Sequence, residues 1–351
     1  MGLSGGVDSA VSAALLKKEG YDVTGVFIKA WTPPGYPCNW KEDRRSAMRV
    51  AVILDIPFIT LDLEKDYKKE VVDYMIAEYK KGGTPNPDVM CNKEIKFGHF
   101  LKFALKNGAD FVATGHYARC PTSDVWQTKH PMLGYQLFEG KDKNKDQSYF
   151  LWTLTQEQLK HILFPIGHLQ KEEVRKLAKK FGLPQATRKD SQGLCFLGKI
   201  DMKDFLSRYI FQKRGDVLNE KGEVIGYHNS ALFFTIGERH GFIITKKSDG
   251  KSPLYVVSKN VEKNTITVAS KHFGRSSKML SKEVKLKNIN LIRKIPSKNL
   301  LCRIRYRQEK IPCKIEKNKV IFDKPQMSVS PGQSLVLYDG EICLGGGIIS
   351  Q

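Results

Sequence analysis

The segment that most limits what this chain can fold into is Ser4-Gly5-Gly6-Val7-Asp8-Ser9, six residues placed where a short apolar start gives way to a helical pattern. Adjacent glycines let backbone amides approach an anion closely. A helix beginning near Ser9 points its positive N-terminal end at the same spot. The Ser4 and Ser9 hydroxyls can add hydrogen bonds, and Asp8 is a candidate to hold Mg²⁺ on bound phosphates. A tight turn alone would explain the glycines. Its pairing with a helix start favours a phosphate site. No Gly-x4-Gly-Lys-Ser/Thr loop is present, and no Gly-x-Gly-x-x-Gly with a following ribose-binding acid, so Walker-type transfer and a dinucleotide site are not indicated.

Around this loop the first two hundred residues alternate strand and helix patterns. Val23–Ile28, Phe58–Leu63 and Phe111–Thr114 read as strands, and Ala10–Glu19, Asp43–Leu54, Tyr67–Lys81 and Lys93–Asn107 as helices. Gly82-Gly83 and Gly108 stop two of the helices. Thr155-Gln156-Glu157-Gln158 resembles a capping box, and Lys171–Phe181 is a basic helix halted by Gly182-Leu183-Pro184. The alternation predicts a Rossmann-like parallel sheet covered on both faces. Beyond residue 200 the pattern becomes short strands, among them Gly222–Tyr227, Ala231–Thr235, Leu254–Ser258, Thr265–Ala269, Leu300–Tyr306, Ile311–Glu316, Lys319–Phe322 and Ser334–Leu337. The expected fold is α/β: a catalytic domain over 1–200, a small β-rich central domain over 201–275, and a C-terminal β-barrel-like domain over 276–351.

Charge adds a partner. The 351 residues carry a formal net charge of +21, and residues 201–351 hold 28 Lys and Arg against 14 Asp and Glu. A basic second half fits a polyanion such as nucleic acid, although a solvated lysine-rich surface would look similar. No apolar run reaches the length of a membrane helix, and no signal-like leader precedes the first motif. The expected compartment is the cytoplasm. Seven cysteines, with no CxxC, argue against a disulfide framework or a four-thiolate zinc site, and no structural metal is expected.

Two of those thiols stand in reactive surroundings. Cys91 falls in Thr84-Pro85-Asn86-Pro87-Asp88-Val89-Met90-Cys91-Asn92-Lys93, read as lying just before a helix whose dipole would acidify it, with Asp88 three residues upstream. Cys195 falls in Lys189-Asp190-Ser191-Gln192-Gly193-Leu194-Cys195, a polar, glycine-containing loop suited to an exposed thiol. An inert buried thiol is the expectation for Cys38, Cys120, Cys302, Cys313 and Cys343.

With SGGVDS, TPNPDVMCNKEIKF, ATGHYAR, KDQSYFLW, DSQGLCF, RYRQ and GQSLVLYDGEICLGGGII in order along nearly the whole chain, the sequence resembles the bacterial-type tRNA-specific 2-thiouridylases of the ATP pyrophosphatase superfamily. The resemblance implies adenylation of O2 of the wobble uridine by Mg-ATP, then sulfur transfer from a cysteine persulfide, giving 2-thiouridine, AMP and pyrophosphate. It implies that Gly2, Leu3, Ser4, Gly5, Gly6, Val7, Asp8 and Ser9 cradle ATP, with Ile28 and Gly115 completing the adenosine pocket. Asn86, Pro87 and Asp88 would meet the target base. Cys91 would be the nucleophile and Cys195 the persulfide carrier, the two able to close a disulfide. Lys145, Asp146, Gln147, Arg305 and Tyr306 would contact the tRNA anticodon stem-loop, with His116 and Gln333 as further contacts. A sulfur-relay protein or cysteine desulfurase would supply the persulfide.

The sequence departs from the family pattern at its start, where the first strand is missing or reduced to Met1–Leu3, and at Ile28, Gly83 and Glu238. A small-molecule ATP pyrophosphatase would need neither the paired cysteines nor the basic β-rich half. A decayed tRNA-binding protein would not keep SGGVDS, Asp88, Cys91 and Cys195. An iron–sulfur enzyme would need more ligands than Cys91 and Cys195 supply, so Cys38 or a non-cysteine ligand would have to join them.

Overall fold

Three backbone hydrogen bonds settle what became of the first strand. In the computed structural model, which describes residues 1–36, 40–120, 134–189, 201–246, 252–270, 280–296 and 299–350, the Leu3 amide donates to Val26 O at 2.8 Å and the Val26 amide to Met1 O at 2.8 Å. On the other side the Gly2 amide donates to Ala113 O at 2.9 Å. Met1–Leu3 is therefore a reduced strand, parallel to its neighbour at Gly2 and Val26, that joins two parallel pairs. These are β1 (Gly25–Lys29) with β2 (Phe58–Asp62), and β3 (Val112–Ala113) with β6 (Ile162–Leu163). The continuous order is β2-β1-(1–3)-β3-β6, and it places residues 4–9 at the carboxyl edge of the middle strand.

Helices cover both faces. On one face lie α1 (Val7–Lys18), α2 (Trp40–Leu54) and α6 (Lys171–Lys180), whose Ala10, Val11, Ala14, Val50, Ala51, Val174 and Ala178 share a core. Small residues dominate α1 because it is buried on nearly every side. On the other face lie two long helices, α3 (64–80) and α4 (87–106), each an α-helix with a π-helical middle. They pack Val71, Met75, Ile95 and Phe100 against Val26 and Ile28. Both stop where the glycines predict. The capping box forms at α5 (Gln156–Leu159): Thr155 Oγ1 accepts from the Gln158 amide, and Gln158 Oε1 accepts from the Thr155 amide.

After α7 (Met202–Ser207), the central domain is one five-stranded sheet in the order β10-β11-β7-β8-β9. Its strands are β7 (Gly215–Leu218), β8 (Val224–His228), β9 (Phe242–Ile244), β10 (Leu254–Asn260) and β11 (Thr265–Ser270). The strand expected at Ala231–Thr235 is instead a 3₁₀ turn over Ala231–Phe233. Ser230 Oγ accepts from the Leu232 amide and Asn264 Oδ1 from the Ala231 amide, taking the donors a ladder would need.

The C-terminal strands β12 (Leu280–Leu291), β13 (Leu300–Arg303), β14 (Ile311–Glu316), β15 (Lys319–Met327), β16 (Ser334–Asp339) and β17 (Ile342–Ile349) close into a barrel through β12 with β17. The sheet then runs on into β5 (Leu137–Glu139) and β4 (Ala118–Arg119), two strands from the first two hundred residues. At this seam Arg303 Nη1 donates to Asp146 Oδ2 at 2.8 Å, and Arg303 Nη2 lies 3.0 Å from Glu139 Oε1. Lys310 Nζ donates to Glu139 Oε2 at 3.0 Å. Glu139 and Asp146 are buried, so deleting a counter-charge there strands a carboxylate. Replacing Arg303 with Leu is expected to lower the unfolding free energy by about 3–5 kcal/mol, chiefly by leaving Asp146 without a cation, read from urea denaturation; a change below about 1 kcal/mol would mean that Ser148 for Asp146, and Lys143 and Lys310 for Glu139, suffice.

Candidate active site

Gly6 caps α1 with no side chain, so the first-turn amides have no side-chain capping partner. The loop before it is knitted internally: the Ser4 amide donates to Ser9 Oγ at 3.2 Å, and Ser9 Oγ donates to Gly6 O at 3.1 Å. Gly5 has φ +80°, and a Cβ there would sit 2.5 Å from Asp43 O, so a larger residue would displace the loop. Its carbonyl is held from behind by Ser46 Oγ at 3.0 Å and Arg188 Nη1 at 2.8 Å. Open amides at a helix start, with glycines at the close approach, fit a pyrophosphate.

Asp8 is already engaged. Lys171 Nζ reaches its two oxygens at 2.7 and 2.9 Å, and Tyr117 donates its hydroxyl at 2.8 Å. A magnesium ion held by Asp8 would have to share it with that lysine. Among the described residues no group of three or more His, Cys, Asp or Glu is placed to hold a metal. Gly115 lies where a Cβ would come within 2.8 Å of the Ser9 amide nitrogen, so the loop after β3 packs directly on the start of α1. Ile28 is buried in the core beneath the sheet.

Cys91 lies inside its helix rather than before it. Asn86 is the N-cap, accepting from the Val89 amide at 3.3 Å, and Pro87 opens the first turn. Cys91 therefore sits in the second turn, where the π-helical stretch Cys91–Phe100 begins, and it is fully buried. The dipole acts mainly within the first turn, so it favours Asp88 and the Asn86 end more than the thiol. The same helix passes under the nucleotide loop, since a Cβ on Gly2 would lie 3.4 Å from the Phe100 ring.

The barrel and the central domain converge on the entrance to that helix. Gln333 Nε2 donates to Thr84 O at 2.8 Å, the Thr84 amide donates to Pro331 O at 2.8 Å, and Thr84 Oγ1 lies 3.3 Å from Thr235 Oγ1. Tyr306 packs on Phe150 with ring centroids 4.5 Å apart, and Asn92 Nδ2 donates to Phe150 O at 3.2 Å. Asn86, Pro87, Asp88, Tyr306 and Gln333 are thus gathered at one junction, with Arg305 beside them, donating to Ser328 O at 2.6 Å. Both Arg305 and Tyr306 lie just beyond β13 rather than on the strand expected through residue 306.

The remaining predicted residues have structural partners. Asp146, expected as a tRNA contact, is buried and accepts from the Gly140 and Ser148 amides, Ser148 Oγ and Arg303 at the domain seam. Gln147 Oε1 accepts from the Tyr117 amide at 3.0 Å, while its neighbour Lys145 is half-exposed. His116 is buried between Phe97 and Phe164, with Nδ1 2.7 Å from Thr114 Oγ1 and Nε2 3.4 Å from the Lys96 ammonium. Cys195 and Cys38 lie outside the described residues. Sequence reasoning gave no role to Lys171, Tyr117, Ser46 and Arg188, although Tyr117 lies within ATGHYAR and Lys171 opens a helix read from the sequence; distant segments bring all four to the loop. Glu238, an unexplained departure, caps its own turn: Oε2 accepts from the Thr235 amide at 3.0 Å and Oε1 pairs with Lys203 at 2.6 Å.

A parallel sheet with a glycine loop at its carboxyl edge, joined to two β domains, defines a three-domain α/β protein. Residues 1–199 match the model of the tRNA methyl transferase HUP domain, 203–270 that of the tRNA methyl transferase PRC-barrel domain, and 281–349 that of the aminomethyltransferase β-barrel domain. The chain is 44% identical to the tRNA-specific 2-thiouridylases of Streptococcus thermophilus and Streptococcus mutans, over all of its own length and 94% of theirs. It is equally similar, at 44%, to that of Halalkalibacterium halodurans. The chain belongs to the tRNA-specific 2-thiouridylase family. Among solved structures, an NMN synthetase from Francisella tularensis aligns with 54% of this chain and 64% of its own at 18% identity, with a TM-score of 0.31, too faint to carry an argument.

Burial, and then Lys96, hold the His116 imidazole well below its ordinary range. The unfolded chain takes up that proton near pH 6.5 and the folded chain only at lower pH. His116 thus contributes stability above pH 6.5 that is lost as the pH falls below it, at no more than about 1.4 kcal/mol per pH unit. Urea unfolding between pH 7 and 5 is expected to show this loss, and His116→Asn to flatten it; an unchanged slope in the variant would place the titration elsewhere.

Proposed function

We propose that this chain is the sulfurtransferase that converts a tRNA uridine to 2-thiouridine at the expense of ATP. The observation that carries the reading is the helix of Cys91 itself: the barrel's Gln333 and Pro331 hold the backbone just before its start, and farther along its Phe100 lies under Gly2, where the glycine loop begins. O2 of the uracil attacks the α-phosphorus of bound ATP, the bond to the β-phosphate breaks and pyrophosphate leaves, so that O2 can later depart as AMP. The amides of residues 7–9 hold the phosphates, and Lys171 adds positive charge beside them. Asn86, Pro87 and Asp88, half-exposed at the start of α4, receive a base withdrawn from its stack. Tyr306 offers a stacking face and Arg305 a phosphate contact at the same junction.

Sulfur then arrives on Cys195. The outer sulfur of its persulfide bonds to C2 as the C2–O2 bond to the adenylate breaks and AMP leaves. The Cys91 thiolate next attacks the Cys195 sulfur, leaving the transferred sulfur on the base and a Cys91–Cys195 disulfide that an external thiol reduces. Burial of Cys91 keeps this nucleophile from solvent oxidants until the base and Cys195 enter. We divide the work as 1–200 for nucleotide and sulfur chemistry, 201–275 as the connecting domain, and 276–351 for the tRNA stem-loop. The partners are then tRNA and a persulfide-donating protein in the cytoplasm.

Unmodified tRNA incubated with the protein, Mg-ATP and a sulfur source is expected to yield 2-thiouridine and AMP by nucleoside mass spectrometry. Cys91→Ser and Cys195→Ser should each form none with a persulfide donor. Gly5→Ala should lose AMP formation as well. AMP release without a thiolated nucleoside in the unaltered protein would leave adenylation standing and overturn the substrate.

A further inference from the structure

Helix α2 presents an unusual outer face. Arg45, Met48, Arg49 and Val52 follow one another at helical spacing with Ile53 beside them, and all five are exposed, Val52 at 78% and Ile53 at 46%. Arg45 and Arg49 are four residues apart on one stripe, an arrangement of like charges that weakens an isolated helix. Among the described residues neither forms an ion pair. Both line a cleft of about 560 Å³ with Arg188, Ser46 and Gln185. The buried Gln185 Nε2 donates to Ser46 O and Oγ, while its Oε1 has no partner. Glu42 also lines the cleft and Arg188 pairs with Asp43, so the face sets two arginines without an ion-pair partner among the described residues, Arg45 and Arg49, beside exposed Met, Val and Ile.

That mixture fits a protein better than RNA. Arg and Met are enriched in protein interfaces, and three exposed aliphatic side chains add nothing to a phosphate contact. Its place in the fold points the same way. α2 packs on the α1 side of the sheet, whereas Cys91 and the 84–88 junction belong to the opposite face. Arg188 precedes Cys195 by seven residues, a reach of at most about 25 Å of chain.

We propose that the outer face of α2, with its arginine cleft, docks the protein that delivers sulfur to Cys195, through an acidic rim around an apolar centre on that partner. This rests on the sulfurtransferase reading above. In the docked pair the Cys195 thiolate attacks the partner's outer persulfide sulfur; that sulfur–sulfur bond breaks, a new one forms on Cys195, and the partner's thiolate leaves, with no net oxidation.

The test compares two sulfur sources on the full chain with tRNA and Mg-ATP. One is the same organism's cysteine desulfurase loaded with labelled persulfide, and the other is free sulfide, which attacks the adenylated base without docking. The double variant Arg45→Glu with Arg49→Glu, and separately Val52→Asp, should cut desulfurase-fed thiolation on the order of tenfold. Sulfide-fed thiolation, tRNA affinity and melting temperature should stay unchanged. Unchanged desulfurase-fed thiolation in both variants overturns the proposal. Equal loss with sulfide, or weakened tRNA binding, also overturns it by assigning the face to catalysis or RNA. If the unaltered protein thiolates tRNA with neither source, it is the sulfurtransferase reading that fails.

Discussion

Everything at the nucleotide end of this molecule hangs on how Met1–Leu3 is held. The segment is too short to form a stable strand alone, yet it bonds to β1 through Leu3 and Val26 and to β3 through Gly2 and Ala113. It thereby unites two strand pairs into one parallel sheet. Because parallel strands present their carboxyl ends together, the chain leaving Leu3 must turn there into α1. The turn is narrow, with Asp43 behind Gly5 and the loop at Gly115 in front. Glycines and open amides result from that crowding.

A second constraint joins the domains. β4 and β5 leave the catalytic domain and extend the barrel's sheet, while Arg303 and Lys310 answer the buried Glu139 and Asp146 across the seam. The barrel is tied in again where Gln333 and Pro331 hold the backbone of Thr84 and Pro85. Gly332 permits that approach, since a Cβ there would fall 2.7 Å from the Thr84 nitrogen. Tyr306, Arg305 and the entrance to the Cys91 helix are consequently held at one end of the seam between the barrel and the first domain.

How much of this was legible beforehand differs by residue. The 3.6-residue and alternating periodicities located most helices and strands, and Gly82 and Gly108 marked helix ends. Thr155 and Gln158 announced their capping box. Ala231–Thr235 misled because its β-branched and aromatic composition says nothing of Ser230 and Asn264 capping the amides. β4 and β5 escaped notice because strands of two or three residues carry no period. Cys91 was placed one turn early, because Asn86-Pro87 is a helix start that its neighbouring proline at 85 obscured.

By itself the sequence determined the residue types available: a glycine-rich turn in SGGVDS ahead of a helix, two cysteines in unlike sequence settings, an acid and an amide ahead of one of them, and a basic β-rich second half. These follow from residue type and short spacing, which act over a turn or two of chain. Only the tertiary structure decided that Lys171 and Tyr117 would engage Asp8, that Arg188 and Ser46 would hold Gly5 from behind, that Asp146 would serve the domain seam, and that Gln333 would reach the backbone at Thr84. Those contacts join residues separated by more than forty to some two hundred and fifty positions. No local periodicity encodes them, because they arise from the packing of whole elements on a common core.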